Sequence, residues 1–104
     1  MSDAQIQLQA KLFKGFADQS RLAILSVISD KPKTVSEIVE ETGLSQPNTS
    51  SHLACLLDCG LIKNEKKGRE VFYEISMDEV TEVIRQAQKV IKKRSKEIYN
   101  CTHY

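Results

Sequence analysis

The stretch that most limits what this chain can become is "KTVSEIVEETGLSQPNTSSHLACLLDCG", which carries two helix starts separated by one glycine. Thr34 followed three residues later by Glu37 is a capping-box pattern, and Val35, Ile38 and Val39 supply an apolar stripe behind it. Gly43 suits the left-handed residue that closes a helix, so the first helix is short. Ser45 is a good N-cap and Pro47 falls in the first turn of the next helix, whose Leu53, Leu56 and Leu57 face inward. Two short helices joined by a tight glycine-containing turn spell a helix-turn-helix.

The flanking segments extend that unit on both sides. Upstream, Ile6, Leu8, Leu12, Phe13 and Phe16 fall mostly at helical spacing, and Gly15 with "FADQS" marks a break. Asp18 or Ser20 then caps a second helix carrying Leu22, Ile24, Leu25, Val27 and Ile28, which Pro32 halts in "SDKPK". Downstream of Gly60, "LIKNE" and "EVFYEI" read as strands with "KKGR" between them, a β-hairpin. From Asp78 a long helix places Val80, Val83, Ile84, Ala87, Ile91 and Ile98 on one face, flanked by Lys89, Lys92, Lys93, Arg94 and Lys96. The expectation is a mainly α fold with a small hairpin, a winged helix-turn-helix, filling residues 1–104 as one DNA-binding domain with a metal-binding C-terminal tail.

Size and composition narrow the function. A chain of 104 residues buries one core with little margin, so pairing with a second copy is the natural way to gain stability. No apolar run approaches the roughly 18 residues of a membrane span, and "MSDAQIQLQAK" has neither a basic start nor an apolar core of a secretory signal. A cytoplasmic protein without a membrane partner is expected. Three cysteines, an odd number, argue against a disulfide framework in a reducing compartment and bring metal or redox chemistry forward. Catalysis is disfavoured: there is no glycine-rich phosphate loop, no paired-carboxylate signal, and the two histidines have no partners.

The nucleic-acid candidates follow from the winged-helix layout. Gln46, Asn48, Thr49, Ser50, Ser51 and His52 give the second helix of the turn motif an N-terminal half of short hydrogen-bonding side chains, suited to base edges and phosphates in a major groove. Lys66, Lys67 and Arg69 at the hairpin tip, with Lys63 behind them, suit phosphate contacts. A net charge of +1 does not oppose this, because binding needs a local basic surface and not a basic chain.

Taken together, "FADQSRLAIL", "SQPNTSSHLACLLDCGLI" and "KKGREVFYEI" resemble the ArsR/SmtB family of metal-responsive winged-helix repressors, over roughly Leu12 to Ile75. One departure is Gln19, where that family usually has proline. The resemblance implies a homodimer held mainly by the first and last helices on a two-fold symmetric double-stranded operator. Family sensing patterns are matched selectively: the helix Thr34 to Thr42 lacks the C-V-C motif of arsenic sensors, and the last helix lacks the histidines of zinc sensors.

Cys55 and Cys59, at i and i+4, lie on one helical face with Cβ atoms about 5–6 Å apart, close enough for two thiolates to share an ion. "HLACLLDCGL" with "YNCTHY" resembles the CmtR-type cadmium/lead-sensing branch, which implies Cys101 as the third ligand, supplied by the other subunit. His103 is read as a tail residue without a role ahead of a fourth ligand. The expected function is a repressor released from DNA when Cd(II) or Pb(II) binds three thiolates, with Zn(II) or As(III) as other thiophilic inducers. The alternative is an arsenite-responsive or thiol-redox-responsive repressor on the same scaffold.

Overall fold

The computed structural model describes the backbone of residues 1–99 and the side chains of residues 1–94. Five helices and one hairpin follow in the order α1 (Asp3–Phe16), α2 (Gln19–Val27), α3 (Val35–Thr42), α4 (Gln46–Asp58), β1 (Ile62–Lys67), β2 (Glu70–Ile75) and α5 (Asp78–Tyr99). Short-range hydrogen bonds explain most boundaries. Asp18 accepts from the Arg21 amide at the start of α2, Thr34 and Glu37 form the full capping box of α3, and the Ser45 side chain accepts from the Asn48 amide at α4. Gly43 closes α3 at φ 75°, in the left-handed region where only glycine sits without strain. The α1 start has a capping box of its own, Ser2 with Gln5.

The core lies where α2, α3 and α4 meet, with the hairpin base and the start of α5 closing it. Ile24, Leu25, Ile28, Ile38, Leu53, Leu56, Leu61, Ile62 and Val80 are buried there, joined by Phe16 from α1. The hairpin pairs antiparallel from Ile62 opposite Ile75 to Lys67 opposite Glu70. Its base is clamped by the Ser76 amide to the Leu61 carbonyl and the Ser76 hydroxyl to the Gly60 carbonyl, 3.1 and 2.7 Å. A single antiparallel bridge between Lys33 and Tyr73 attaches the α2–α3 connection to the middle of β2.

Three local details go beyond the expectations. The break falls where "FADQS" places it, between Phe16 and Gln19, but Gly15 is itself a buried residue of α1, where a Cβ would stand 2.9 Å from Leu61 Cδ1, so its role is to let α1 approach the α4–β1 junction. The loop at the hairpin tip is shorter than "KKGR": Lys66 and Lys67 belong to β1, leaving Gly68 and Arg69 as the two turn residues, with Gly68 at φ 65°. The last helix departs from helical geometry at Arg94, with φ −129° and ψ 27°.

Helices α1 and α5 are only half used. Ile6, Leu8, Leu12 and Phe13 of α1 and Val90 and Ile91 of α5 are exposed, as is Leu22 of α2. Between them runs an apolar groove of about 430 Å³ lined by Phe13, Phe16, Leu22, Val83, Ile84 and Ile91 among others. Among the described residues no helix is long and apolar enough to cross a membrane.

Candidate functional site

Helix α4 carries two chemistries at its two ends. At the N-terminal end Gln46, Asn48, Ser50 and Ser51 are exposed, side by side on the first two turns. The positive end of the helix dipole adds an attraction for phosphate here, although Pro47 has no amide hydrogen and that of Asn48 is taken by the Ser45 side chain. Thr49 does not belong with them. It is fully buried, and its hydroxyl donates to the Ser45 carbonyl at 2.8 Å, so it is a core residue on the line of Leu53 and Leu56. His52 is half-buried, its Nε2 4.0 Å from Asp18 Oδ1. The Arg21 amide bond holds that Asp18 carboxyl below its usual range, so it stays an anion beside the imidazole.

The wing presents its cations on both sides of the turn. Lys66, Lys67 and Arg69 are exposed, with the Lys67 ammonium 5.8 Å from the centre of the Phe72 ring. Lys63 is different: it sits across from Glu74 and pairs with it at 3.2 Å, which neutralises it locally.

At the other end of α4 are the thiols. Cys55 is half-buried inside the helix and Cys59 is its C-terminal cap residue, with the Cys59 amide donating to the Cys55 carbonyl at 3.0 Å. Both are free thiols, one helical turn apart on the same face of α4. Although Cys59 as a residue is exposed, its sulfur is turned toward α1, 3.7 Å from where a Gly15 Cβ would be. Burial pushes the Cys59 thiol up, Cys55 adds to the shift, and the Arg21 guanidinium opposes it. Arg21 itself is held by carbonyls at the end of α1, donating from Nε to Gly15 O at 3.0 Å and from Nη2 to Lys14 O at 2.8 Å. The thiol pair thus sits at a junction of α1, α2 and α4.

Two adjacent sulfurs suit a soft cation in donor type, and i,i+4 spacing delivers them to one point. Cys101 and His103 lie outside the described residues. Among the described residues no three His, Cys, Asp or Glu side chains converge as a metal site, so the described part supplies two of the three expected donors. Lys33 had no place among the sequence-based candidates. It lies between α2 and α3, 5% exposed, and no local pattern marks a lysine there as buried.

The family model described as "Bacterial regulatory protein, arsR family" matches residues 18–64, from the cap of α2 into β1. The probable mercury resistance operon repressor of Streptomyces lividans is 35% identical over 79 residues, 76% of this chain, which spans 63% of that protein's length. The HTH-type transcriptional regulator CmtR of Mycobacterium bovis is 29% identical over 79% of this chain and 70% of its own. The solved structure of reduced HlyU from Vibrio cholerae superposes with a TM-score of 0.77 at 32% identity, covering 85% of this chain and 93% of that one. With the capped helix-turn-helix, the wing and these likenesses together, the chain belongs to the ArsR family of bacterial regulatory proteins.

Proposed function

We propose that this protein is a metal-responsive transcriptional repressor that binds operator DNA as a homodimer and lets go when a soft heavy-metal ion, Cd(II) or Pb(II), is held by Cys55, Cys59 and Cys101. The observation that carries the reading is the composition of α4: one rigid helix has an exposed polar reading end, Gln46 to Ser51, and an adjacent thiol pair at its other end. The mercury resistance repressor relative supports a thiophilic effector through what its name states of it.

In this reading Gln46, Asn48, Ser50, Ser51 and His52 meet base edges and phosphates, while Lys66, Lys67 and Arg69 grip the flanking backbone. A second copy covers the groove between α1, α2 and α5, where Leu12, Phe13, Val83, Ile84 and Ile91 form a continuous apolar surface that a monomer leaves in water. The ion's chemistry is to displace thiol protons and bind sulfur. Thiols at this point adjoin Gly15 and Arg21, so any repositioning of Cys59 bears on how α4 stands against α1 and α2. Two reading helices must match half-sites about 34 Å apart, and a small change in that stance lowers operator affinity. Effector and DNA then weaken each other by the same factor.

A thiol-redox response is the second reading, favoured by the i,i+4 placement of two free thiols, Cys55 and Cys59. Helical geometry opposes a disulfide between i and i+4 unless the last turn of α4 opens. Anaerobic titration with Cd(II), Pb(II) and arsenite, following thiolate-to-metal absorption together with anisotropy of a labelled operator duplex, tests the main reading. The wild type should show absorption and DNA release at the same equivalence point. Undiminished release by Cd(II) from the Cys55→Ser/Cys59→Ser variant would sink the three-cysteine site.

A further inference from the structure

Lys33 is a buried ammonium surrounded by a carbonyl and two carboxylates. Nζ donates to Val27 O at the end of α2 at 2.6 Å and to Glu41 Oε1 on α3 at 3.0 Å, and lies 3.4 Å from Asp30 Oδ1. The ammonium thus makes two hydrogen bonds and a second ion pair. The backbone of the same residue is bonded in both directions to the wing, Lys33 N to Tyr73 O at 3.0 Å and Tyr73 N to Lys33 O at 2.8 Å. One residue therefore ties the end of α2, the first helix of the helix-turn-helix and the second strand of the hairpin together.

We propose that Lys33 is a positioning residue for DNA binding: it holds the wing at a fixed angle to the helix-turn-helix and so sets the phosphate contacts of Lys66, Lys67 and Arg69. This rests on the DNA-binding reading given above. The mechanics follow from where the hairpin is anchored. Its base is fixed at Ser76, about seven residues from the turn, and Lys33 adds a second anchor at Tyr73, between four and five residues from the turn. At about 3.4 Å per strand residue, the unsupported arm is roughly 15 Å long with the Lys33 anchor and roughly 25 Å without it. The same angular play at the support then moves the cationic tip nearly twice as far, enough to break hydrogen-bond-range contacts with phosphates. The backbone bridge depends on the side chain, because the ammonium is what fixes the α2–α3 connection against Val27 and Glu41.

Lys33→Met tests this, since Glu41 and Asp30 are both partly exposed and regain water when the cation is removed. Anisotropy is measured between 50 and 200 mM KCl on a 30-base-pair duplex that the wild type retains from a random pool, and on an unselected duplex. Removing one cation–phosphate pairing flattens the affinity change across this fourfold salt range by about 3.5-fold, so removing all three at the wing flattens it by roughly 40-fold. Lys33→Met should flatten the slope on both duplexes as the Lys66→Ala/Lys67→Ala/Arg69→Ala variant does, and adding it to that variant should cost nothing more. Amide exchange at Tyr73 and its wing neighbours should rise while that of α4 stays as in the wild type. A wild-type salt slope, an additive loss in the combined variant, or unchanged wing exchange would each overturn the proposal. Glu41→Gln, which keeps an oxygen acceptor without its charge, should fold in any case and give an intermediate slope; a wild-type slope there also counts against Lys33. If the wild type retains no duplex at all, it is the DNA-binding reading that fails, and with it the positioning role of Lys33.

Discussion

Replacing Gly15 with alanine separates what local propensity expects from what packing demands. In an isolated helix the change is favourable by about 0.8–1 kcal/mol, because glycine loses more backbone freedom on folding. Here the added methyl would stand 2.9 Å from Leu61 Cδ1, inside van der Waals contact, while Cys59 Sγ at 3.7 Å is at an ordinary distance. Leu61 is 2% exposed and its amide is bonded to Leu56 O at 3.1 Å, so the branch has little room to turn away. Moving α1 instead pulls against the Arg21 bonds to Gly15 O and Lys14 O. Overpacking of this kind costs about 1–3 kcal/mol, which outweighs the propensity gain and leaves Gly15→Ala destabilised by about 1 kcal/mol. For a domain of this size that lowers Tm by about 4–8 °C, compared at equal protein concentration because any self-association shifts apparent stability. Urea unfolding gives the same quantity from the midpoint at unchanged slope. In a double-mutant cycle Leu61→Val, which shortens the opposing branch, should remove most of the penalty. A Gly15→Ala variant more stable than the wild type would refute the close approach of α1 to the α4–β1 junction.

Thr49→Val should leave operator discrimination intact and change stability by no more than about 1 kcal/mol, since the hydroxyl bonds only to the Ser45 carbonyl at the α4 cap, whereas Ser51→Ala should reduce the operator-to-random affinity ratio by the roughly 2- to 13-fold that one hydrogen bond supplies; competition anisotropy on the two duplexes distinguishes them. The Thr34 amide, bonded to Glu37, holds that carboxyl below its ordinary value, so its contribution to stability is present above about pH 4.5 and is lost as pH falls through the depressed folded value. Glu37→Gln keeps the acceptor and removes the titration, so urea midpoints of this variant should fall less between about pH 5 and about pH 3 than those of the wild type.

The elements of this fold are decided by interactions that span three or four residues, and those are written in the chain itself. Asp18, the Thr34–Glu37 box, Gly43 at positive φ and Ser45 each act on an amide or a backbone angle a turn away, so the helix-turn-helix and its register are legible without tertiary structure. The thiol pair is legible for the same reason, because i and i+4 meet on any helix. The exposed polar end of α4 is also readable, except for Thr49, which stands four residues before Leu53 and seven before Leu56 and shares their inward line. That periodicity is the signal which identifies it as core. Other assignments depend on what lies across from a residue, and no local pattern encodes that. Gly15 looks like a helix breaker until Leu61 is found against it, and Lys63 looks like a free phosphate ligand until the hairpin register sets it opposite Glu74. Lys33 looks like one more surface charge in "SDKPK". Only the meeting of the Val27 carbonyl and the Glu41 and Asp30 carboxylates gives its ammonium partners that make burial affordable, while Tyr73 from a third element bonds its backbone.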